Sequence, residues 1–396
     1  MWVAALAIGS VWAPLRAEAQ DILSGEVTFE ARGFPRDALL PGQPDATLSL
    51  SGEPEVYLNW RDGVHSLTLT PFFRLDSSDG ERTHLDIREL LWQSYGDTWE
   101  VRAGLGKVFW GVTESQHLVD VINQTDLVES PDGEDKLGQP MVNLTLLRSW
   151  GTVDLFVLPG FRARTFVGSD GRLALPLPVD DDREVVERDV GYAARWFHTL
   201  GDIDLGVSHF WGSSRDPHFR ITADGGAPVL LPIYETVHQT SLDLQLTSGN
   251  WAWKLEALTR SGQGDRFYAT VGGFEYTIAN IRSSGADLGL LAELHLDSRD
   301  DIQFGDQRVS ATPFDQDIFV GSRLALNDAQ DTQLLGGAVV DLGMGALALF
   351  LETSRRLGGG WTADFEVRAF ANTDPSGPLY GVHRDSYGQF SLRYHF

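Results

Sequence analysis

Along most of the chain, apolar and polar residues alternate with a period of two over runs of roughly ten to fourteen residues. Successive side chains of a β-strand point to opposite faces, so this alternation predicts strands with one apolar and one polar face. Residues 286–298 are a clear example, with Leu288, Leu290, Leu294 and Leu296 on one face and Asp287, Glu293 and His295 on the other. No comparable helical periodicity appears over most of the sequence.

The same pattern predicts about eighteen strands along the chain. They fall at residues 25–33, 47–61, 64–76, 83–94, 98–110, 140–149, 152–164, 189–199, 202–213, 233–247, 250–261, 266–278, 286–298, 315–326, 331–342, 346–356, 361–372 and 385–396. Many of these runs exceed the five or six residues that are usual in soluble sheets. Their lengths are similar to that of a tilted strand that crosses a bilayer, which needs roughly nine to eleven residues.

The connections between the predicted strands divide into two kinds. The long ones all follow odd-numbered strands, at residues 34–46, 111–139, 165–188, 214–232, 299–314 and 373–384. The tight turns follow even-numbered strands, and residues 279–285 form one link of intermediate length. An up-and-down arrangement therefore places every long loop at one end, which is typical of outer-membrane barrels.

The predicted fold class is all-β, a single transmembrane antiparallel up-and-down β-barrel of about 18 strands (16–18), with short periplasmic turns and long extracellular loops. A soluble sandwich or propeller is the alternative, with the apolar faces packed in a dry core. That alternative explains the alternation equally well. It does not explain the strand lengths or the uneven distribution of loops.

The N-terminal segment favours export of the protein. An apolar run over residues 3–12 leads into Ala17-Glu18-Ala19, the small-x-small pattern at which signal peptidase cleaves. We therefore expect a signal peptide at residues 1–19 and a barrel at residues 20–396. A short buried helix is the alternative interpretation of this segment.

The C-terminal segment, DSYGQFSLRYHF, carries the most specific pattern. Phe390, Leu392, Tyr394 and Phe396 alternate with Gln389, Ser391, Arg393 and His395. This segment resembles the C-terminal assembly signal of bacterial outer-membrane β-barrel proteins, and the chain as a whole looks most like a porin of no assigned subfamily. The resemblance implies export through the periplasm of a Gram-negative bacterium and recognition by the barrel assembly machinery. It also implies contact with outer-membrane lipid and lipopolysaccharide, and possible homotrimers.

Composition excludes several other classes of protein. The formal net charge of −25 disfavours nucleic acid as a partner, since phosphate binding needs a basic surface. The absence of cysteine excludes disulfides, thiolate metal sites and a cysteine nucleophile. No common nucleotide-binding, metalloprotease or serine-hydrolase motif occurs, so we expect no cofactor, no metal site and no catalytic residues.

Charged residues on the polar faces are candidates for the lining of a pore. The candidates are Arg74, Arg88, Arg102, Glu26, Glu30, Glu256, Glu293, Asp364, Glu366, Arg368 and Arg393. The three arginines named first fall on consecutive predicted strands, which allows a basic ladder on one wall. The alternative is that the inward charges simply hydrate the lumen and pair across strands.

The longest loop, residues 111–139, has an apolar middle that includes Val119, Val121 and Ile122. Loops that run over a surface are usually polar, so this one is expected to be buried. We predict that it folds into the barrel and narrows the pore, with Glu114, Asp120 and Asp126 as constriction-loop candidates. Packing on the barrel rim or against a neighbouring subunit is the alternative.

The function predicted from these features is passive diffusion of small hydrophilic solutes through a charged lumen, with a mild preference for cations. A second hypothesis is a structural or partner-binding barrel of an export or electron-transfer assembly. A barrel enzyme is the less favoured third hypothesis. It requires a serine, a histidine and an acid that converge on the barrel wall.

Overall fold

The computed structural model describes residues 22–299, 302–304, 307–309, 312–375 and 377–396. The expected signal peptide, residues 1–19, lies outside the described residues. Eighteen strands form one antiparallel sheet, and the first of them pairs with both the second and the last. The sheet is therefore a closed barrel, and the predicted fold class is confirmed.

The barrel strands follow one another around the wall in chain order. They are β1 (Ile22–Gly33), β2 (Ala46–Trp60), β3 (His65–Asp76), β4 (His84–Tyr95), β5 (Trp99–Gly106), β6 (Gln139–Arg148), β7 (Gly151–Pro159), β8 (Val190–Leu200), β9 (Ile203–Ser213), β10 (Thr236–Ser248), β11 (Trp251–Gly262), β12 (Gly264–Ile278), β13 (Asp287–Asp297), β14 (Gln316–Ala325), β15 (Gln333–Asp341), β16 (Leu347–Gly358), β17 (Trp361–Ala371) and β18 (Tyr387–His395).

Two strands end earlier than their alternation predicts. Strand β5 stops at Gly106 rather than 110, and β7 stops at Pro159 rather than 164. In each case the chain leaves the wall because its backbone finds a partner elsewhere. The N–H of Val108 donates to Asn123 Oδ1 at 2.8 Å, and the N–H of Arg164 donates to the Tyr234 hydroxyl at 3.0 Å.

The long connections follow odd-numbered strands, as predicted, and they define the loop end of the barrel. The opposite end, with its tight turns, is the turn end. One connection at the loop end is unexpectedly short, because Gln263 alone separates β11 from β12. Gly262 permits this hairpin: its φ is 117°, and an added Cβ would lie 2.1 Å from the Thr236 carbonyl oxygen.

Small elements that the sequence did not predict decorate the connections. Val185–Val186, His218–Asp224 and Ala227–Tyr234 form a three-stranded sheet, and Ile302–Phe304 pairs with Gln307–Val309. Two short 3₁₀ helices occur at Ile281–Ser283 and Pro378–Val382. None of the described helices is long and apolar enough to span a bilayer.

The outer face of the barrel is apolar around its circumference. Exposed side chains on this face include Phe29, Leu50, Val142, Leu155, Val207, Leu290, Val320, Leu349 and Phe365. Aromatic residues gather near the turn end, including Trp99, Trp150, Trp251, Trp253 and Trp361. A closed barrel satisfies its backbone internally, so such a face is suited to lipid acyl chains flanked by an aromatic girdle.

The predicted C-terminal assembly signal lies on this outer face. Phe390, Tyr394 and Phe396 are exposed, and Leu392 is partly exposed. The Phe396 backbone closes the barrel, because its N–H donates to Gly25 O at 3.0 Å and its carbonyl accepts from Gly25 N at 3.1 Å. The apolar face of the last strand therefore points away from the lumen.

Candidate functional site in the barrel interior

The connection between β5 and β6, residues 107–138, crosses the interior of the barrel. We call it the crossing loop. Its backbone reaches Glu256 on β11, whose Oε1 accepts from the N–H of Val112 at 2.7 Å and of Thr113 at 3.0 Å. The other oxygen of Glu256 accepts from the N–H of Val119 at 3.1 Å. Glu256, on the far wall, thus binds the crossing loop on both sides of a bend between Thr113 and Val119.

A second carboxylate on the same wall continues the attachment. Glu293 on β13 accepts from the N–H of Glu114 at 2.8 Å and from the N–H of Ser115 at 2.9 Å. The Glu114 side chain itself pairs with Arg323 on β14 at 2.7 Å. Hydrogen bonds to an ionised acceptor are stronger than neutral ones, so these contacts fix the crossing loop in place.

Ser115, His295 and Glu293 converge on the wall, which is the combination that a barrel enzyme would require. Ser115 Oγ lies 2.7 Å from His295 Nε2 and also donates to Glu293. The acid therefore binds the serine, whereas in a nucleophilic triad it binds the far nitrogen of the histidine. That nitrogen, Nδ1, is buried without a hydrogen-bond partner among the described residues. The contacts made by these side chains anchor the crossing loop.

The middle of the crossing loop packs into a dry cluster inside the barrel. Val119, Val121 and Ile122 are almost completely buried. They pack with loop residue Trp110 and with inward side chains of β6 to β10, namely Met141, Phe156, Leu158, Ala193, Phe210 and Val237. Burial of these apolar groups stabilises the loop against the wall, at roughly 1.5–3 kcal/mol for each large side chain.

A buried cation fastens the same segment from the loop between β9 and β10. Arg215 donates through Nη2 to Ile122 O at 2.7 Å and through Nε to Val121 O at 3.2 Å. Phe161 and Phe210 lie against its guanidinium, at 5.2 and 5.4 Å from the ring centroids. Burial lowers the pKa of Arg215 to about 10, so the group remains charged at neutral pH.

The second half of the crossing loop pairs with β3 and β4. Glu129 binds Arg74 at 2.6 Å, and Asp126 binds Arg88. Arg74 also contacts Glu30 on β1 at 3.4 Å. These groups are buried, and the loss of one member of such a pair leaves an uncompensated charge that costs roughly 3–5 kcal/mol. Arg74, Arg88 and Glu30 therefore face the loop more than they face open water.

The third arginine of the suggested ladder lies elsewhere along the wall. The register places Arg102 opposite Gln93, whereas Arg74 is opposite His84 at the other end of β4. Arg102 donates to Asn143 Oδ1 at 2.9 Å and lies 3.5 Å from Glu100. The three arginines are spread along the barrel axis, and two of them share the partner Glu129.

Two ion pairs join the arms of the crossing loop to each other. Asp120 lies 3.5 Å from Lys136, and burial raises the pKa of Asp120 above its ordinary value. His117 lies 3.5 Å from Glu134. Burial alone would lower the pKa of His117, but the contact with Glu134 and the nearby Glu256 and Asp120 raise it overall.

An open cavity lies along the wall that the crossing loop leaves free. A cavity of about 490 Å³ is lined there by β14 to β18. Its lining includes Arg323, Gln333, Glu352, Ser354, Asp364, Glu366, Gln389, Ser391 and Arg393. Glu26 on β1 adjoins this wall, since it lies 3.6 Å from Arg393. Arg368 is held there by Glu366 at 2.8 Å and by Asp132 of the crossing loop at 2.6 Å.

The predicted interior residues thus divide by environment. Arg74, Arg88, Glu256 and Glu293 bind the crossing loop directly, and Glu30 binds Arg74 behind it. Glu26, Asp364, Glu366 and Arg393 lie along the open wall, and Arg368 joins that wall to Asp132 of the crossing loop. Sequence reasoning missed Glu129, Arg215 and Glu352. The alternation of β16 could have indicated Glu352, but the other two lie in loops without periodicity.

The closed antiparallel barrel of eighteen strands is the fold of bacterial outer-membrane porins. No protein-family model matches the chain, and no curated protein matches it in sequence. The fold is similar to OccK11 (OpdR) of Pseudomonas aeruginosa, with 10% identity, 96% of each chain covered and a TM-score of 0.54.

Two further solved structures show the same fold. A BenF-like porin from Pseudomonas fluorescens Pf-5 has 9% identity and a TM-score of 0.57, with 96% of this chain and 98% of that one covered. OpdQ of Pseudomonas aeruginosa has 10% identity and a TM-score of 0.52, with 96% and 97% covered. The likeness extends over nearly the whole length of each protein, and it concerns the fold.

Proposed function

We propose that the protein is a porin of the bacterial outer membrane that allows passive diffusion of small hydrophilic solutes. The apolar exterior suits the bilayer, and the charged interior suits a hydrated path. In this orientation the loop end faces the cell exterior and the turn end faces the periplasm. Contact with lipopolysaccharide, delivery by the barrel assembly machinery and a homotrimeric state are parts of the same proposal.

The crossing loop narrows the channel in this proposal. The observation that carries it is the binding of loop backbone N–H groups by Glu256 and Glu293, on the wall opposite β5. Glu114, Asp120 and Asp126 would act by holding the loop in place, since each has a cationic partner in Arg323, Lys136 or Arg88. Solutes would pass beside the loop, along β14 to β18.

The charges along that passage favour cations. The four carboxylates of Glu26, Glu352, Asp364 and Glu366 outnumber the three guanidinium groups of Arg323, Arg368 and Arg393 there. A lining of one predominant sign raises the local concentration of the opposite ion. The conducting path is therefore expected to prefer small cations over anions of similar size.

Single-channel recording in planar bilayers tests the constriction. Replacement of residues 114–134 by a short Gly-Ser linker removes the bend and most of the loop. We expect a higher conductance, because the space that the loop occupies fills with water and ions. The double variant Glu256→Gln, Glu293→Gln keeps the loop but weakens its anchors, and we expect frequent transitions to larger conductance levels.

A matched control shortens the hairpin at residues 219–231 by a similar procedure, since that segment belongs to a loop sheet at the loop end. Its conductance should equal that of the unaltered protein. An unchanged conductance after removal of residues 114–134 would contradict the constriction. The absence of any conductance from the unaltered protein would contradict the porin itself.

A further inference from the structure

One sector of the outer face departs from the apolar rule. Near the loop end of β9 to β12, outward polar residues lie beside the outward rings of Trp211 and Tyr268. These polar residues are His209, His238, Thr240, Thr259, Ser261 and Arg266, which we call the polar sector. The strand register aligns His209, Thr240 and Thr259 in one row. One outward position closer to the turn end, the aligned residues on β9 to β11 are apolar, namely Val207, Leu242 and Ala257, and Thr270 continues this row on β12.

The polarity of this sector is local and does not follow from its height on the barrel. On β7, Leu155 is aligned with the same row through Ala194 of β8, and Val157 is aligned with the next row through Tyr192. Both β7 residues are apolar and exposed. The polar sector is thus a notch cut into the apolar band of the barrel, and the apolar band continues at the same level beside it.

Two guanidinium groups lie on the polar sector without a counter-charge. Arg266 donates to Thr259 Oγ1 and to Ser261 Oγ, each at 3.2 Å. Arg188 lies over the Trp211 ring, 4.3 Å from its centroid, and Trp211 stacks on His238. Both arginines are exposed, and neither forms an ion pair with any residue that the structure describes.

The acidic residues beside them in sequence are Glu187 and Asp189 next to Arg188, and Asp265 next to Arg266, and none of these forms an ion pair with either arginine among the described residues. Glu187 accepts the N–H of Thr236 at 2.8 Å, so its carboxylate is engaged with the backbone. Asp265 precedes Arg266 in β12 and falls, by alternation, on the opposite face of the strand. The polar sector therefore presents hydrogen-bond donors and positive charge to its surroundings.

We infer that the polar sector binds the phosphorylated headgroup of an outer-leaflet lipid, namely lipopolysaccharide. The notch lies where the apolar band gives way to the loops, which is the level of lipid headgroups on an outer-membrane barrel. Guanidinium groups bind phosphate through paired N–H donors, and the imidazoles and hydroxyls add further partners. The stack of Arg188, Trp211 and His238 holds one guanidinium in position before the lipid arrives.

This inference rests on the proposed function, because it assigns to the polar sector the lipopolysaccharide contact that the proposed function includes. It concerns the outside of the wall, whereas conduction concerns the inside. The two ideas can fail separately, and the conductance of the variant used below reports on the second of them.

The test compares the full-length chain with the double variant Arg188→Gln, Arg266→Gln, each folded in detergent and titrated with purified lipopolysaccharide. Native mass spectrometry measures the bound fraction. We expect the variant to bind about thirtyfold more weakly, the effect of two surface cations on an anionic headgroup. Enzymatically dephosphorylated lipopolysaccharide should bind the unaltered protein as weakly as the intact lipid binds the variant.

The control variant is Arg220→Gln. This arginine is exposed in the loop hairpin and also lacks an ion pair among the described residues, and its removal should leave binding unchanged. Heat-modifiability on gels and single-channel conductance verify that each variant is folded. Equal binding by the double variant and the unaltered protein would overturn the inference. Equal binding of intact and dephosphorylated lipid, or a change of subunit association in place of lipid binding, would also overturn it.

Discussion

The interior walls on the two sides of the barrel have opposite character. The wall from β6 to β10 meets the crossing loop with apolar side chains, such as Met141, Phe156 and Phe210. The wall from β14 to β18 meets an open cavity with charged ones, such as Glu352 and Asp364. The first side resembles the core of a soluble protein that has been placed inside a barrel. The comparison shows that one closed sheet can provide both an apolar support for a loop and the charged lining of an open cavity.

The difference originates in which inward positions are apolar. On a uniform porin wall every inward position would be polar, because each would contact water. Here apolar side chains occupy some of the inward positions on β6, β7 and β9, namely Met141, Phe156, Leu158 and Phe210. The other inward positions of these strands are polar, as at Asn143, Asp154 and Ser208. These inward apolar side chains pack against Val119, Val121 and Ile122 of the crossing loop. The loop is thereby directed to one side, and the open cavity lies on the other.

The largest expected effect comes from a charge placed among the apolar contacts between the crossing loop and β6 to β10, which we call the dry half of the barrel. Ile122 is completely buried, so Ile122→Asp should weaken loop docking by at least about 3 kcal/mol, the cost of an uncompensated buried charge. The loop should leave the wall, and water should enter that half of the barrel. Single-channel conductance should rise, and limited proteolysis should cut the crossing loop.

Val185→Asp is the matched control, because Val185 is exposed in a short strand between β7 and β8. The same chemical change there should alter neither conductance nor proteolysis. A variant Ile122→Asp that keeps an uncut loop and an unchanged conductance would show that the dry half does not hold the loop.

The sequence predicts the barrel itself well, since the alternation indicates which face of each strand is apolar. All eighteen predicted strands occur, and the long loops follow the odd-numbered ones. It does not predict which inward charges are wet. Arg74 and Asp364 both fall on polar faces, but Arg74 is covered by Glu129 of the crossing loop and Asp364 lines the cavity. That distinction depends on where a non-periodic loop settles, and local pattern carries no information about it.

Relative heights were equally hidden from sequence reasoning. A bulge between Thr70 and Pro71 shifts the register of β3 against β4, and the offset of β5 carries Arg102 away from Arg74. A ladder of three arginines needs equal heights, which alternation along single strands cannot establish. Loop residues such as Glu129 and Arg215 were missed for a related reason, because their roles arise from contacts far apart in sequence.

A smaller effect is expected from the removal of charges that line the cavity along β14 to β18, which we call the wet half of the barrel. The double variant Glu352→Gln, Asp364→Asn removes two carboxylates from the cavity lining without a change of shape. The permeability ratio of potassium to chloride, measured from reversal potentials in a salt gradient, should fall about twofold. The effect should be greater at low salt, where screening is weaker.

The control for that experiment is Asp182→Asn, Asp224→Asn, which removes the same charge from exposed loop positions. Its permeability ratio should stay near that of the unaltered protein. If the two double variants change the ratio equally, then the net charge of the whole protein sets selectivity, and the cavity does not.

The smallest expected effect is a dependence on pH at the seam between the two halves, where His117 meets Glu134 at 3.5 Å. The pKa of His117 is raised, so its contribution to loop docking is complete below the ordinary histidine pKa, near 6.5, and is lost as pH rises through the raised value. The pKa of Glu134 is lowered, so its contribution is present above the ordinary glutamate pKa and lost only under more acidic conditions. The pair is therefore complete in mildly acidic solution and broken in alkaline solution.

Conductance fluctuations of the unaltered protein should increase modestly between pH 5.5 and pH 8.5, and His117→Gln should show the alkaline behaviour at both values. His218→Gln removes a histidine that pairs with Glu235 at 3.1 Å in a loop at the barrel end, and it should preserve the pH response. A pH response that survives in His117→Gln would assign it to another titrating group, and the two arms of the crossing loop would then be held together by their apolar contacts and by Asp120 with Lys136.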